Sequence, residues 1–106
     1  MLLQPKHKDL LLSIIKLHIA LPIRVLAYGS RVNGRGHSGS DLDLVIQFLD
    51  SVDYSFAQFR QLKNAFTHSN LPFIVDAKFW HLLPESFKIN IEKQFVDLYN
   101  TNSLTT

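Results

Sequence analysis

Two aspartates, Asp41 and Asp43, are the residues whose type and spacing point most directly to chemistry. They open a segment, 41–48, in which an apolar residue occupies every second position, as in a β-strand with one buried face. Residues two apart on a strand point to the same face, so the two carboxylates lie close together. Like charges this close repel unless a cation lies between them, and Mg²⁺ binds carboxylate oxygens. The pair predicts either a magnesium site or a strand face exposed to solvent.

A third acid, Asp76, lies in the middle of the apolar segment 71–80. A carboxylate among apolar residues is costly unless it is paired or binds a metal. If this segment forms a strand beside 41–48, Asp76 joins the first two acids on one face, and three acids meet the needs of a two-metal phosphoryl-transfer site. Lys78 shares a face with Asp76, and a simple ion pair between the two is the alternative.

The glycine-rich segment 30–40 is a candidate phosphate-binding loop, since it holds three of the chain's four glycines and almost nothing apolar. Gly29, just before it, lets a phosphate approach the backbone, and the Ser30 hydroxyl and the N–H groups that follow can donate hydrogen bonds to that phosphate. Arg31 and Arg35 can neutralise the charge of a triphosphate, with solvent-exposed loop arginines as the alternative.

Three other side chains have weaker claims on the site. His37, in the same loop, can contact phosphate or a metal, but an exposed loop histidine is the simpler interpretation. Tyr28 and Trp80, at predicted strand ends, can stack on a base, although aromatic residues there more often belong to the core or its rim.

The elements that must position these residues follow from the apolar periodicity. It predicts, in order, helix 6–20, strand 23–28, a loop with room for one helical turn over 30–40, strand 41–48, a helix capped by Asp53 and ending near 68–70, strand 71–80, and a last helix from 84 to 99. This order predicts the α/β class: a small mixed β-sheet with helices packed on one face.

Composition limits the remaining possibilities. With 106 residues, of which 46% are hydrophobic and 19% charged, the chain fits one domain, predicted over 1–99 with a polar tail at 100–106. The absence of cysteine excludes disulfides, thiolate metal sites and a cysteine nucleophile. A net charge of +2 is too small to draw the chain to nucleic acid or to a membrane, and no apolar stretch is long enough to span one. We therefore expect a cytoplasmic protein without direct nucleic-acid binding.

The spacing of the candidate site residues resembles a known signature. Gly29-Ser30, ten residues and then Asp41-x-Asp43 is similar to the motif of the DNA polymerase beta-type nucleotidyltransferases, and 29–44 is similar to the minimal nucleotidyltransferases of prokaryotes. The resemblance implies that Gly29, Ser30 and Arg31 bind the nucleotide, that Asp41 and Asp43 bind Mg²⁺, and that Asp76 completes the metal site and acts as a base. The loop departs from the family pattern, since it is richer in glycine and contains His37.

The same resemblance implies an activity and a partner. The expected reaction is Mg²⁺-dependent, with two ions, and moves a nucleoside monophosphate, AMP from ATP, to a hydroxyl acceptor. Minimal members of the family are paired with HEPN-class proteins, often ribonuclease toxins, and adenylylate a toxin tyrosine as antitoxins. Two alternatives remain open: a non-catalytic module that neutralises its partner by binding, and an antibiotic nucleotidyltransferase, for which the sequence shows no acceptor pocket.

Overall fold

A computed structural model describes residues 1–37, 39–50 and 56–101 of this chain. The elements in chain order are α1 (Pro5–His18), β1 (Ile23–Tyr28), α2 (Ser30–Asn33), β2 (Leu42–Phe48), α3 (Phe56–Thr67), β3 (Val75–Phe79), a 3₁₀ turn (Trp80–Leu82), α4 (Glu85–Lys93) and β4 (Val96–Asn100). The predicted first helix and first two strands are confirmed to within two residues. The predicted cap Asp53 lies outside the described residues.

The four strands form one mixed sheet in the order β3-β2-β1-β4. β1 is antiparallel to both β2 and β4, whereas β2 and β3 are parallel. Because parallel neighbours need a crossover connection, α3 lies between them in the chain. The N-terminal ends of β2 and β3 and the C-terminal end of β1 therefore meet at one edge of the sheet.

One face of the sheet carries the main hydrophobic core. Helices α1 and α3 cover this face with side chains three or four residues apart, as amphipathic helices do. The core combines these helix residues with alternate residues of the strands, namely Leu11, Ile15, Leu62, Phe66, Val25, Ala27, Leu44 and Ile46. The α/β class, with a small mixed sheet under a helical layer, is as predicted.

Helix α4 departs from the one-face arrangement. Its Ile91 packs against Leu26 and Val45, which are cross-strand partners and point away from the main core. These three residues form a second, smaller core, with Phe95 and Tyr28 against it. The face that α4 partly covers is also the face on which the acids lie.

The prediction that the last helix runs to residue 99 is wrong. Helix α4 ends at Lys93, Gln94 is extended at φ −158°, and Val96–Asn100 forms β4 against β1. The apolar stripe at 87, 91, 95 and 98–99 fits a helix, but residues 95–99 are rich in β-branched and aromatic side chains, and pairing with β1 satisfies their backbone groups.

β3 is shorter than predicted, and the folded part of the chain ends later than predicted. β3 covers Val75–Phe79 rather than 71–80. Asn100 is part of β4. The Thr101 hydroxyl accepts a hydrogen bond from the N–H of Ile23 and donates one to its C=O, both at 3.1 Å, so these residues of the expected tail belong to the fold.

Within the described part of the chain, none of the helices has the length and apolar character that a membrane crossing requires.

Candidate active site

The predicted meeting of two strand acids is confirmed. In the parallel pairing of β2 and β3, Asp43 lies directly beside Asp76, and in the antiparallel pairing of β1 and β2 it lies beside Tyr28. Residues in register on neighbouring strands point to the same face. The two carboxylates and the tyrosine ring therefore share the face opposite the main core.

The third acid, Asp41, lies just before β2 and is exposed. Its charge still acts on Asp43. Burial raises the pKa of Asp43 above its usual value, and the negative charges of Asp76 and Asp41 raise it further, while the positive charge of Lys78 lowers it. Asp43 is thus the centre of the acidic group, because every neighbouring charge in the site acts on it.

Gly29 brings the backbone against the carboxylate of Asp43. Its φ of +80° and ψ of −155° belong to a region that essentially only glycine adopts. A Cβ at this position would overlap Oδ2 of Asp43 and lie 3.2 Å from its Cγ. The Gly29 carbonyl also accepts hydrogen bonds from the N–H groups of Val32 and Asn33, both at 3.0 Å, so the same residue begins α2. The backbone and carboxylate can be this close because position 29 has no side chain.

Ser30 is the first residue of α2 and is half-buried beside Gly29. Its carbonyl accepts a hydrogen bond of 2.8 Å from the N–H of Gly36, and a Cβ on Gly36 would lie only 2.7 Å from that carbonyl oxygen. The glycine-rich loop therefore folds back over the start of α2. The backbone of the loop can approach α2 this closely because position 36 is a glycine.

Arg31 is buried, at 5% exposure, and holds the loop together. Its Nε donates to the carbonyl of Leu2 at 2.9 Å, and Nη1 donates to the carbonyls of Ser40 at 2.9 Å and His37 at 3.2 Å. The guanidinium also lies 4.4 Å from the centre of the Phe73 ring. Burial lowers the pKa of Arg31. The alternative of a solvent-exposed arginine is wrong, and a phosphate contact by Arg31 stays a prediction.

Arg35 and His37, the other two candidate phosphate contacts in the loop, are exposed. The ring Nδ1 of His37 accepts a hydrogen bond of 3.1 Å from the backbone N–H of Gly39, and the backbone N–H of His37 donates to Oγ of Ser40 at 3.0 Å. These contacts agree with the interpretation of His37 as an exposed loop residue.

Lys78 introduces a positive charge beside the acids. Its Nζ lies 2.8 Å from Oδ2 of Asp76, so the ion pair that the sequence left open is confirmed. Burial lowers the pKa of the Lys78 ammonium, but the hydrogen bonds to Asp76 and Tyr28 and the charges of these two groups together outweigh burial and raise that pKa. Tyr28 is the next neighbour: burial raises the pKa of its hydroxyl, and the Lys78 charge opposes that rise.

The donor set of the site suits a hard cation. Asp43 and Asp76 present carboxylate oxygens from adjacent strands, and their mutual repulsion favours a positive charge between them. In the described parts of the chain, no three His, Asp or Glu side chains are grouped so that they could hold a metal ion. The predicted gathering of three acids, Asp41 with Asp43 and Asp76, is therefore not found, because Asp41 lies before β2 and is exposed, whereas the pair Asp43 and Asp76 fits Mg²⁺ by ligand chemistry and strand placement.

The sequence reasoning missed the contribution of α4. Phe87 of this helix packs edge to face on Tyr28, with ring centres 6.0 Å apart, and the ammonium of Lys78 lies 5.9 Å from its ring centre. Position 87 belongs to the apolar stripe of α4, and that pattern alone predicts a core residue. Its 36% exposure is the feature that only the structure shows.

Comparison with known proteins agrees with this architecture. The family model described as "Polymerase beta, Nucleotidyltransferase" matches residues 13–104. The chain therefore belongs to the polymerase beta nucleotidyltransferase family.

Individual relatives are more specific. The chain is 42% identical over 72 residues to the "Probable protein adenylyltransferase MntA" of Haemophilus influenzae, a match that covers 68% of this chain and 61% of that protein. The chain thus spans less than two thirds of the length of this curated relative.

Two solved structures share the fold at low identity. One is described as a toxin-antitoxin with AMP-PNP (TM-score 0.71, 19% identity, 91% of this chain and 75% of that chain). The other is a tri-AMPylated Shewanella oneidensis HEPN toxin in complex with MNT antitoxin (TM-score 0.65, 17% identity, 91% and 71%). At these identities the likeness establishes the fold.

Proposed function

We propose that this chain is a Mg²⁺-dependent nucleotidyltransferase that moves AMP from ATP to a tyrosine hydroxyl of a HEPN-class ribonuclease toxin, and so acts as an antitoxin in the cytoplasm. The observation that carries the proposal is the contact of the Gly29 backbone with Asp43, which itself lies in register with Asp76. The turn that we propose to bind phosphate and two carboxylates thereby adjoin at one end of the strands. The 42% identity to a probable protein adenylyltransferase supports the acceptor class.

Each site residue has a separate task in this proposal. Gly29 and Ser30 bind the terminal phosphates through the backbone and the hydroxyl, while Arg31 holds the loop in shape. Asp43 and Asp76 would hold the metal from adjacent strands, and Asp41 would complete its ligands, with two ions expected. Bound Mg²⁺ supplies charge neutralisation for the carboxylates and the phosphates and lowers the pKa of the attacking hydroxyl.

The transfer is a displacement at the α-phosphorus of ATP. A bond forms between the tyrosine oxygen and this phosphorus, and the bond from the phosphorus to the α,β-bridging oxygen breaks. Pyrophosphate leaves with the electron pair, and the hydroxyl proton passes to the carboxylate of Asp76. Positioning and charge neutralisation supply most of the rate enhancement, as in other phosphoryl transfers.

Co-expression with the HEPN-class protein encoded beside this chain tests the proposal. Intact and tandem mass spectrometry of the co-purified toxin should show AMP on a tyrosine. Asp41→Asn with Asp43→Asn should abolish the adduct, whereas Asp9→Asn, at an exposed position on α1, should leave it unchanged.

Two outcomes would contradict the proposal. If the wild-type chain forms a complex with the toxin but adds no AMP in the presence of Mg²⁺ and ATP, the enzymatic function is refuted. If the double aspartate variant still neutralises the toxin as well as the wild type does, binding alone is the antitoxin mechanism.

A further inference from the structure

Lys78 bonds to one of the two oxygens of the Asp76 carboxylate. Its Nζ lies 2.8 Å from Oδ2, and the residues are two apart on β3, so both side chains project from the face that carries the acids. In the described part of the chain, Oδ1 of Asp76 has no hydrogen-bond partner. The ammonium therefore occupies one oxygen of this carboxylate and leaves the other for a further ligand.

The neighbouring carboxylate, that of Asp43, also has one oxygen covered by the chain. Oδ2 of Asp43 lies so close to the Gly29 backbone that a Cβ at position 29 would overlap it. Asp43 and Asp76 are in register on adjacent parallel strands, so their side chains lie next to each other on one face. Each of the two carboxylates can therefore offer an incoming cation one oxygen more readily than two.

Two features of the fold keep the Lys78 ammonium at the Asp76 carboxylate. The side chains of Lys78 and Asp76 are partly buried, at 34% and 44% exposure, so dissolved salt screens their attraction less than that of a fully exposed pair. The ammonium also lies over the Phe87 ring of α4, with Nζ 5.9 Å from the ring centre. We therefore expect Lys78 to compete with any cation for Oδ2 of Asp76.

The number of carboxylate oxygens that a cation uses differs between Mg²⁺ and Ca²⁺. Mg²⁺ takes about six ligands, keeps several waters and binds one or two carboxylates, whereas Ca²⁺ takes about six to eight ligands and often uses both oxygens of a carboxylate. We propose that Lys78 determines the metal specificity of the site: by holding Oδ2, it restricts Asp76 to one oxygen, which suits Mg²⁺ and disfavours Ca²⁺. The inference rests on the proposed function, since it assumes that a divalent ion binds Asp43 and Asp76.

Competition between metal ions tests this role without a measurement of catalysis. Mn²⁺ favours the same oxygen ligands, and electron paramagnetic resonance follows its release from the full chain as Mg²⁺ or Ca²⁺ displaces it. Mn²⁺ binding that Asp43→Asn abolishes belongs to the site. Lys78→Met removes the ammonium but keeps an unbranched side chain. It should raise the ratio of Ca²⁺ affinity to Mg²⁺ affinity about tenfold, the scale of one hydrogen bond to a charged group.

Two further variants separate the hold on Oδ2 from the loss of a positive charge. Lys63→Met, on α3, removes the same single charge from an exposed lysine whose ammonium lies 4.9 Å from the centre of the Phe59 ring, and it should leave the affinity ratio unchanged. Lys78→Arg keeps a cationic donor at position 78 and should keep the wild-type preference for Mg²⁺. Position 78 is partly exposed, so both substitutions there are compatible with folding.

The outcomes separate this inference from the proposed function. If Lys78→Met leaves the affinity ratio unchanged, or if Lys63→Met shifts it as much, the specificity role of Lys78 is overturned, and AMP transfer by the wild type would show that the nucleotidyltransferase stands. If the wild type binds Ca²⁺ as tightly as Mg²⁺, the role of Lys78 also fails. If the ratio shifts as expected but the wild type transfers no AMP to the toxin, the enzymatic proposal fails and the role of Lys78 stands.

Discussion

Replacing Gly29 with alanine tests the closest contact of the site, that between the backbone and Asp43. The φ of +80° and ψ of −155° at this position cost a residue with a side chain about 1–3 kcal/mol. The new Cβ would also overlap Oδ2 of Asp43 and crowd its Cγ at 3.2 Å. Because the overlapped atom ends a side chain, the carboxylate rotates away rather than the sheet opening. We therefore expect a stability loss of about 1–3 kcal/mol together with a misplaced Asp43.

Two further variants divide this loss into its causes. Gly34→Ala places a side chain in the left-handed helical region, at φ +84° and ψ 2°, with no atom within 4 Å of the added Cβ, so it measures the cost of that milder conformation alone, about 1–2 kcal/mol. Gly29→Ala in an Asp43→Ala background keeps the strain but removes the overlapped carboxylate. The difference between the two backgrounds is the coupling energy, which for residues in contact is about 0.5–3 kcal/mol.

Urea unfolding of the four variants and the wild type supplies the free energies, provided that the m-value stays constant. Each kcal/mol also corresponds to a fall of about 4–8 °C in Tm for a domain of this size. The reasoning is refuted if Gly29→Ala costs the same with and without the Asp43 carboxylate. In that case position 29 matters only for its backbone conformation.

Three further predictions concern charge. Burial and the Asp76 charge raise the pKa of Asp43 in the folded state, so between the unfolded and folded pKa values the folded state binds more protons than the unfolded state. The free energy of unfolding should therefore fall as the pH rises through that interval. Urea unfolding from about pH 3 to 7 measures this fall, which should be smaller for Asp43→Asn. Lys78→Met removes the charge that lowers the pKa of Asp43, so an NMR titration should place that pKa higher than in the wild type, and an unchanged value would contradict the geometry. Arg31→Lys leaves buried carbonyls without their donors and should cost about 2–3 kcal/mol in thermal unfolding, whereas the exposed Arg35→Lys should stay within about 0.5 kcal/mol.

Local patterns in the sequence were sufficient to predict β2 and its acids. The alternation over 41–48 is strong, and one face of that strand is buried under the helical layer, so pattern and environment agree. The placement of Asp76 beside Asp43 needed one assumption, that β3 lies next to β2, and the parallel pairing confirms it.

The C-terminal region was not predictable in the same way. Residues 95–99 satisfy a helical stripe and a strand equally well over so short a window, and the decision falls to a non-local partner. The exposed edge of β1 offers unpaired backbone groups, and β4 satisfies them. No periodicity along the chain contains that information.

The role of Arg31 was hidden for a related reason. From the sequence, an arginine directly after Gly29-Ser30 either binds phosphate or is exposed to solvent. In the structure the guanidinium is instead buried, in contact with Leu2, Ser40 and Phe73. Two of these three contacts come from segments distant in the chain, so their convergence is a property of the fold.

Lys78 changes the electrostatic description of the site that the acids alone suggest. Its ammonium lies 2.8 Å from Asp76 and neutralises that carboxylate within the folded chain. A cation that binds at Asp76 must therefore share the carboxylate with Lys78, whereas Asp41 and Asp43 add only negative charge to the same region. The strongest attraction for a divalent ion thus lies on the Asp41–Asp43 side, next to Gly29, where the proposed triphosphate would bring its own oxygens.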